Sequence, residues 1–216
     1  RVLLEVLNQA LKDLSLLPLR NGEDLRSLLQ DHPTKVFNYD GTDREIERNT
    51  DQAAQGEEYS GKHKAHTVKN LTLSDDEQYI YYLSATLPGS MHDKAIADQY
   101  PIALPEGSVL RQDLGFIGHQ PQGCIIEQPY KKPKNKELTF SQKLYNKLLA
   151  QLRIKIEHAN SGIKRLRILK DTIRLKGAKI RDQIMEVACG LHNLRVRSQQ
   201  RAYAKNGHAQ ISIFLE

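Results

Sequence analysis

Residues 35–42 have the sequence KVFNYDGT, in which an apolar and aromatic run ends on Asp40 and a glycine. Because β-branched and aromatic residues favour extended backbone, this run predicts a strand over 35–39. Similar runs predict four more strands, over 65–73, 79–86, 109–112 and 125–127. A short turn can close a hairpin between the second and third strands, whereas 88–105 is long enough for a crossover with a helix over 91–99. The chain is therefore predicted to have an α/β fold with a mixed five-stranded sheet flanked by helices.

Helical patterns precede and follow the strands along the chain. Leucines at helical spacing predict a helix over 2–16, and a shorter one is expected over 23–30. Thr139, with Gln142 three residues later, predicts a capping box at the start of a long helix. Five apolar residues are expected to form the buried stripe of this helix: Leu144, Leu148, Leu152, Ile156 and Ile163. A last helix is predicted over 178–196, with Ile180, Ile184, Val187, Leu191 and Leu194 turned inward.

The charge along the chain is unevenly distributed. The formal net charge is +6, but residues 131–205 carry 20 of the 32 lysines and arginines and only 5 of the 26 aspartates and glutamates. Such a basic surface attracts polyanions, and nucleic acid is the usual polyanion inside a cell. A solvated helix face is the alternative that remains open.

Several features bear on the cellular compartment. No window of the sequence approaches the roughly 18 consecutive apolar residues of a membrane-spanning helix, and the first residues lack the pattern of a signal peptide. Cys124 and Cys189 are too few for a disulfide framework. We therefore expect a cytoplasmic protein without a membrane partner, associated with the nucleoid when bound to DNA. The start at Arg1 also leads us to expect sequence upstream of it.

Two aspartates are predicted to follow neighbouring strands of the sheet. Asp40 ends the first predicted strand, and Asp113 ends the fourth. In an open sheet with crossovers, ligands collect at the carboxyl ends of strands near the point where the strand order switches. Hard divalent cations prefer carboxylate oxygens, and phosphodiester cleavage by two metal ions requires several converging carboxylates. The sequence therefore predicts that Asp40 and Asp113 share a metal.

A third carboxylate, Glu157, lies on the long predicted helix. At about 100° per residue, Arg153, Glu157 and Lys164 fall within about 40° of one another, beside the apolar stripe. One edge of the helix can thus offer a metal ligand between two cations for phosphate groups. A plain i,i+4 salt bridge between Arg153 and Glu157 is the alternative that the spacing leaves open.

These residues occur in a recognisable order. Asp-Gly-Thr at Asp40, Asp-x-Gly-Phe at Asp113, and Arg-x3-Glu-x6-Lys from Arg153 through Glu157 to Lys164 resemble the DDE transposases of bacterial insertion sequences and their Harbinger-like relatives. Further blocks that agree with this resemblance are YSGKHKAHTVK at 59–69, PGSMHD at 88–93 and ACGLHNL at 188–194. One departure is Ala150, which stands where the family's helix motif commonly has a tyrosine.

The resemblance implies a ribonuclease H-like catalytic domain over 34–197. Asp40, Asp113 and Glu157 would be the catalytic metal ligands, holding two Mg²⁺ or Mn²⁺ ions. The implied activity is hydrolysis of DNA at the element ends, followed by strand transfer into target DNA by a homodimer on paired ends. Residues 1–33 would be the remainder of an upstream DNA-binding region, and 198–216 a tail.

Asp93 is an alternative second carboxylate, since the Gly-Ser-x-His-Asp block is also found in these relatives. Ser90 and Asp93 equally fit a capping box at the start of the crossover helix, in which case Asp93 would satisfy backbone donors. Asp113 is favoured because it follows a strand that can lie beside the first one.

Basic residues within the motif blocks are candidates for contacts to the DNA backbone. Such contacts contribute affinity without reading sequence, and solvated lysines are the alternative for each residue taken singly. The predicted DNA-binding residues are Lys62, Lys64, Lys69, Lys131, Lys132, Lys134, Arg153 and Lys164. The histidines near the motifs lack convincing zinc-ligand spacing, so metal binding is assigned to the carboxylates.

Two other functions remain open at this point. A transposase-derived remnant would bind DNA through its basic half without cutting it, and the intact carboxylates argue against this function. A ribonuclease H-like nuclease would hydrolyse DNA without joining strands, and the active-site chemistry alone does not distinguish it from a transposase.

Overall fold

A central strand, β1 (Val36–Glu45), is hydrogen-bonded on both sides in the computed structural model, which describes the backbone of residues 2–213 and the side chains of residues 2–202. β1 pairs antiparallel with β3 (Ala65–Asp75) and parallel with β6 (Val109–Arg111), which in turn pairs parallel with β7 (Ile125–Glu127). β4 (Ile80–Leu83) pairs antiparallel with β3. All five predicted strands therefore form, and the prediction of a mixed sheet is confirmed.

Two short strands extend this sheet beyond the prediction. β2 (Tyr59–Ser60) and β5 (Leu87–Pro88) both pair antiparallel with β3, and β2 lies at the opposite edge of the sheet from β7. β1 also continues five residues past Asp40, so the prediction that Asp40 ends the strand is wrong. The reason is the length of β3, which offers partners along the whole of β1, from Asp75 opposite Phe37 to Thr67 opposite Glu45.

Helices cover both faces of the sheet. Their bounds are α1 Val2–Asp13, α2 Leu25–Leu28, α3 Gln52–Glu58, α4 Asp93–Gln99, α5 Phe140–Ile163, α6 Arg167–Lys170 and α7 Ala178–Ile213. On one face, Phe37 and Tyr39 of β1 are buried in a cluster that includes Ile96 of α4. On the other face, Val68 of β3 is buried in a cluster with Ile163 of α5 and Ile184 of α7. The alternating direction of strand side chains thus produces two cores, one on each face.

The amino-terminal helix contacts the rest of the chain. Leu11 of α1 and Leu16 are buried with Val187 of α7. Leu19 forms a bridge to Tyr82 of β4, so the segment after α1 adds a short edge to the sheet. α2 is shorter than the predicted helix over 23–30, because a 3-10 turn occupies Gly22–Asp24.

The long helix α5 begins as predicted. Thr139 and Gln142 form both hydrogen bonds of the capping box. The predicted buried stripe is wrong in the first half of α5, where Leu144, Leu148 and Leu152 remain 47%, 52% and 39% exposed. Five residues of α5 are buried, four of them in its second half: Leu149, Ile156, Ala159, Gly162 and Ile163. Helical spacing identifies an apolar stripe, but it does not show how much of that stripe other elements cover.

The last helix, α7, is longer than predicted and continues to Ile213, into the segment expected to be a separate tail. Ile184 and Val187 are buried as expected, whereas Leu194 is 39% exposed. Within residues 2–213, no helix has the length and apolar character that crossing a membrane requires.

Candidate metal centre

Asp40 lies in the middle of β1 on the side that faces α5. Its carboxylate oxygen Oδ2 accepts a hydrogen bond of 2.9 Å from Nδ2 of Asn160, a residue of α5. Asp40 lies opposite Thr72 of β3, and β6 pairs with β1 on the other side up to Asn38, two residues earlier. A buried strand therefore presents one carboxylate to the face of a helix.

Asp113 follows β6, the parallel neighbour of β1. It caps a 3-10 turn at Leu114–Phe116, and its Oδ1 accepts a hydrogen bond of 2.7 Å from the backbone N–H of Gly115. Gln128, just after β7, donates to the carbonyl oxygen of Asp113. The expectation that Asp113 follows a strand lying beside the first one is confirmed.

Asp93 is the first residue of α4, and its carboxylate lies against the backbone next to both other aspartates. A Cβ built on Gly41 would lie 2.7 Å from Oδ1 of Asp93, and one on Gly115 would lie 2.6 Å from Oδ2. A side chain at either position would force the carboxylate of Asp93 to move. The predicted capping box is wrong, since His92 is the N-cap of α4 and no side chain caps it. The carboxylate of Asp93 instead forms an ion pair with Lys69 of β3 at 2.9 Å.

The pKa of Asp40 reflects this crowding of carboxylates. Burial raises it from its ordinary value of 3.8 to about 6, and the negative charges of Asp113 and Asp93 add to the increase. The positive charge of Arg153 and a hydrogen bond from the Gly41 backbone act in the opposite direction. The fold thus gathers three carboxylates where a divalent cation would relieve their repulsion.

This pKa shift predicts a pH-dependent effect of the substitution Asp40→Asn. The folded protein binds a proton at Asp40 more tightly than the unfolded chain, so wild-type stability from this group is present below pH 3.8 and is lost as the pH rises to about 6. The neutral amide avoids that loss. We compare the change in the free energy of unfolding that Asp40→Asn causes in EDTA at two pH values. We expect this change to be more stabilising at pH 7.5 than at pH 3.5, by up to about 3 kcal/mol. Urea unfolding at both pH values measures this difference, and equal effects at the two pH values would contradict it.

α5 presents a polar face to Asp40. Asn160 contacts the carboxylate directly, and Arg153 is close enough for its charge to lower the pKa of Asp40. Glu157 lies between these two residues on the helix, within about 60° of each at 100° per residue, and its side chain is exposed. The alternative of an Arg153–Glu157 salt bridge is not borne out, since the ion pairs among the described side chains do not include one between them.

The donor set fits a hard divalent cation in its chemistry. Asp40 and Asp113 offer carboxylate oxygens from adjacent strands, the ligand type that Mg²⁺ and Mn²⁺ prefer. Among residues 2–202, no three His, Cys, Asp or Glu side chains are arranged as they stand to hold a metal ion. Glu157 lies on the same helix one turn before Asn160, which contacts Asp40.

The predicted DNA-binding residues differ in exposure, and Arg153 and Lys164 are half-buried. Lys62, Lys64, Lys131, Lys132 and Lys134 are exposed, the first two in the turn before β3 and the others in the loop before α5. Lys69 is 7% exposed and paired with Asp93, so it belongs to the site and does not form part of an open basic surface.

Several basic side chains line a small cavity near Asp43. Its volume is about 220 Å³, and Asp43, His63, Thr67, Lys164 and Lys170 are among its lining residues. Burial lowers the pKa of Lys164, while Asp43 and Asp40 oppose that effect. Sequence reasoning missed Asp43 and Asn160. The position of Asn160, three residues after Glu157 on the same helical face, was a signal that could have revealed it.

Known proteins match the part of the chain that carries this site. The family model described as DDE superfamily endonuclease matches residues 39–193. A probable transposase for insertion sequence element IS702 from Microchaete diplosiphon is 33% identical over 136 residues, which is 62% of this chain and 48% of that protein. The chain therefore spans about half the length of this curated relative. No solved structure matches the chain.

Proposed function

Because the chain belongs to the DDE superfamily endonucleases, we propose that it is an insertion-element transposase that cleaves DNA strands and joins them to a target. The observation that carries this proposal is the convergence of Asp40 and Asp113 opposite the face of α5 that bears Glu157. The similarity to the IS702 transposase supports strand transfer as well as cleavage. Divalent metal use is general for the family, and DNA is the polymer on which a transposase acts.

The proposed ligands are Asp40, Asp113 and Glu157, holding two Mg²⁺ or Mn²⁺ ions. When bound, such ions activate the attacking oxygen and stabilise the leaving oxygen of a phosphodiester. Asn160 fixes one oxygen of Asp40 by its hydrogen bond and so orients the other. The ion pair with Lys69 supports Asp113 over Asp93 as the second ligand, because Lys69 already neutralises Asp93.

Backbone phosphates are the proposed targets of the cations around this centre. Arg153 and Lys164 lie on the same face of α5 and extend it toward the small cavity. The exposed lysines at 62, 64, 131, 132 and 134 would contact DNA farther from the cut, giving affinity without sequence readout. Pairing of two copies on the two element ends completes the proposal, since joining both ends needs two catalytic sites.

The proposed fold is ribonuclease H-like, with residues 34–197 as its catalytic domain. Its support is the mixed sheet of five main strands, with helices on both faces and carboxylates on two adjacent parallel strands. Residues 1–33, whose helix α1 packs on α7, are proposed as the remainder of a DNA-binding region.

The test is a combined nicking and joining assay on supercoiled plasmid, with an oligonucleotide that ends in a free 3′-hydroxyl. We expect nicking with Mn²⁺ or Mg²⁺, its loss in EDTA, and covalent joining of the oligonucleotide to the plasmid. The matched control is Asp98→Asn, which changes an exposed acid of α4 that pairs with Lys94. Nicking without joining would favour a simple nuclease, and DNA binding without nicking would favour an inactive remnant.

A further inference from the structure

Two exposed tyrosines lie against each other where the basic loop meets α5. Tyr130 follows β7, and Tyr145 lies in the second turn of α5; their ring centroids are 5.3 Å apart at an interplanar angle of 68°. Tyr130 is 50% exposed and Tyr145 is 36% exposed. We call this pair the aromatic platform. Tyrosine presents a large apolar ring with a polar tip, and such rings are enriched at binding interfaces, so two adjacent exposed rings can serve as a contact surface.

The aromatic platform is held rigidly. The side chain of Asn146 accepts a hydrogen bond of 2.8 Å from the backbone N–H of Tyr130 and donates one of 3.0 Å to its carbonyl oxygen. This two-way contact fastens the loop to α5, whose first turn is closed by the capping box at Thr139. A backbone that is held before binding reduces the conformational entropy lost when a partner stacks on Tyr130.

The aromatic platform is also continuous with the metal centre. Gln128, two residues before Tyr130, donates a hydrogen bond to the carbonyl oxygen of Asp113. Tyr130 is therefore two residues from a side chain that contacts Asp113. A DNA strand whose scissile phosphate reached Asp113 would pass close to the aromatic platform. No such aromatic pair occurs at the opposite edge of the sheet within the described side chains, where Tyr59 of β2 contacts only a histidine ring, His66.

Lysines follow Tyr130 directly in the basic loop. Four of them are exposed: Lys131, Lys132, Lys134 and Lys136. Glu137 pairs with Lys132 and Lys143, which leaves most of this positive charge unneutralised. Exposed aromatic rings within a positively charged track are the combination that binds single-stranded nucleic acid, because bases stack on the rings while cations hold the backbone.

We propose that the aromatic platform stacks an unpaired base of the DNA next to the scissile phosphate. This inference rests on the proposed function for its substrate, and it adds that the bound DNA is locally unpaired beside the cut. Stacking accepts any base, so the platform selects DNA that is opened or frayed at this place without reading its sequence. The surrounding lysines bind paired and unpaired DNA alike.

The test uses the full chain and a DNA duplex with a short 3′ overhang that contains the fluorescent base 2-aminopurine, compared with the same duplex fully paired. Binding is measured in EDTA, so the result does not depend on cleavage. We expect the overhang DNA to bind at least about tenfold more tightly than the paired DNA, with quenching of 2-aminopurine by stacking. We expect Tyr130→Ala and Tyr145→Ala to remove the preference and the quenching, and Tyr130→Phe to retain both.

Three controls separate stacking from other effects. Tyr59→Ala, at the opposite edge of the sheet, should leave the preference unchanged. A double variant of Lys131→Gln and Lys132→Gln should weaken binding of both DNAs equally. Asn146→Ala keeps both rings but removes the two hydrogen bonds to Tyr130, and it should reduce the preference partly.

Specific outcomes would overturn the proposal. Equal binding of the two DNAs by the wild-type chain, or equal weakening of both by the tyrosine variants, would show that the rings do not stack bases. A dimer of the wild-type chain that Tyr130→Ala converts to a monomer would assign the surface to a second copy instead. Stacking without any metal-dependent nicking would leave this inference standing and count against the proposed function.

Discussion

Replacing Asp40 by asparagine lowers metal-dependent nicking of plasmid DNA by about 1,000-fold or more. The side chain keeps its shape and its hydrogen bond from Asn160 but loses the charge that a divalent cation needs. Metal ions supply several kcal/mol of transition-state stabilisation, and each 1.36 kcal/mol corresponds to a factor of ten in rate. We expect losses of the same size for Asp113→Asn and Glu157→Gln, with binding to nonspecific DNA largely retained.

Direct metal binding distinguishes ligand loss from misfolding. Calorimetric titration with Mn²⁺ should show weaker binding by the Asp40→Asn and Asp113→Asn variants, while Asp98→Asn should match the wild type. Asp93→Asn leaves Lys69 with only its longer ion pair to Asp43, at 3.9 Å, so it is best compared with a double variant that also carries Lys69→Met. If that double variant loses metal binding and nicking while Asp113→Asn retains them, Asp93 is the second ligand and our assignment is wrong.

A second large effect concerns stability: Lys69→Met lowers the free energy of unfolding by about 3–5 kcal/mol. The side chains of Lys69 and Asp93 are only 9% and 14% exposed, and Asp93 lies near Asp40 and Asp113. Removing the ammonium group leaves an uncompensated buried carboxylate among like charges, which is among the most costly changes in a folded protein. Urea unfolding in EDTA at pH 7.5 measures the loss.

Two further variants test the cause of this loss. The double variant of Lys69→Met and Asp93→Asn removes both charges, and we expect it to recover most of the stability that Lys69→Met loses. Lys94→Met breaks an exposed pair with Asp98 and should cost less than about 1 kcal/mol. A similarly small effect of Lys69→Met would mean that solvent screens the Lys69–Asp93 pair despite its burial.

Much of the fold could be predicted because it depends on local patterns. Apolar and β-branched runs identified the strands, and Thr139 with Gln142 located the start of α5. The end of β1 could not be predicted, since Gly41 after Asp40 is locally typical of a strand end and only pairing with β3 keeps it extended. The exposure of Leu144, Leu148 and Leu152 likewise depends on which other elements pack against α5. The helical repeat carries no information about those elements.

The site was predictable to a similar degree. Parallel pairing of β6 with β1 brings Asp113 beside Asp40, as the order of strands and crossover suggested. The role of Lys69 was not predictable, because its partner Asp93 is 24 residues away along the chain. The two side chains come together only because the folded chain places the start of α4 beside β3. From the sequence alone, a lysine in a basic motif is most simply assigned to DNA.

Under the proposed function, the exposure of Glu157 has a consequence for the copies of one insertion element. Asp40 and Asp93 are built into the interior, so many changes there also disturb the folded chain. Glu157 stands on the surface of α5, where substitutions usually change stability by less than about 0.5 kcal/mol. Under the proposed function, a copy that lost this one side chain would still fold and bind DNA. Such a copy would compete with active copies for the same DNA, so a single point change would turn it into an inhibitor of the others.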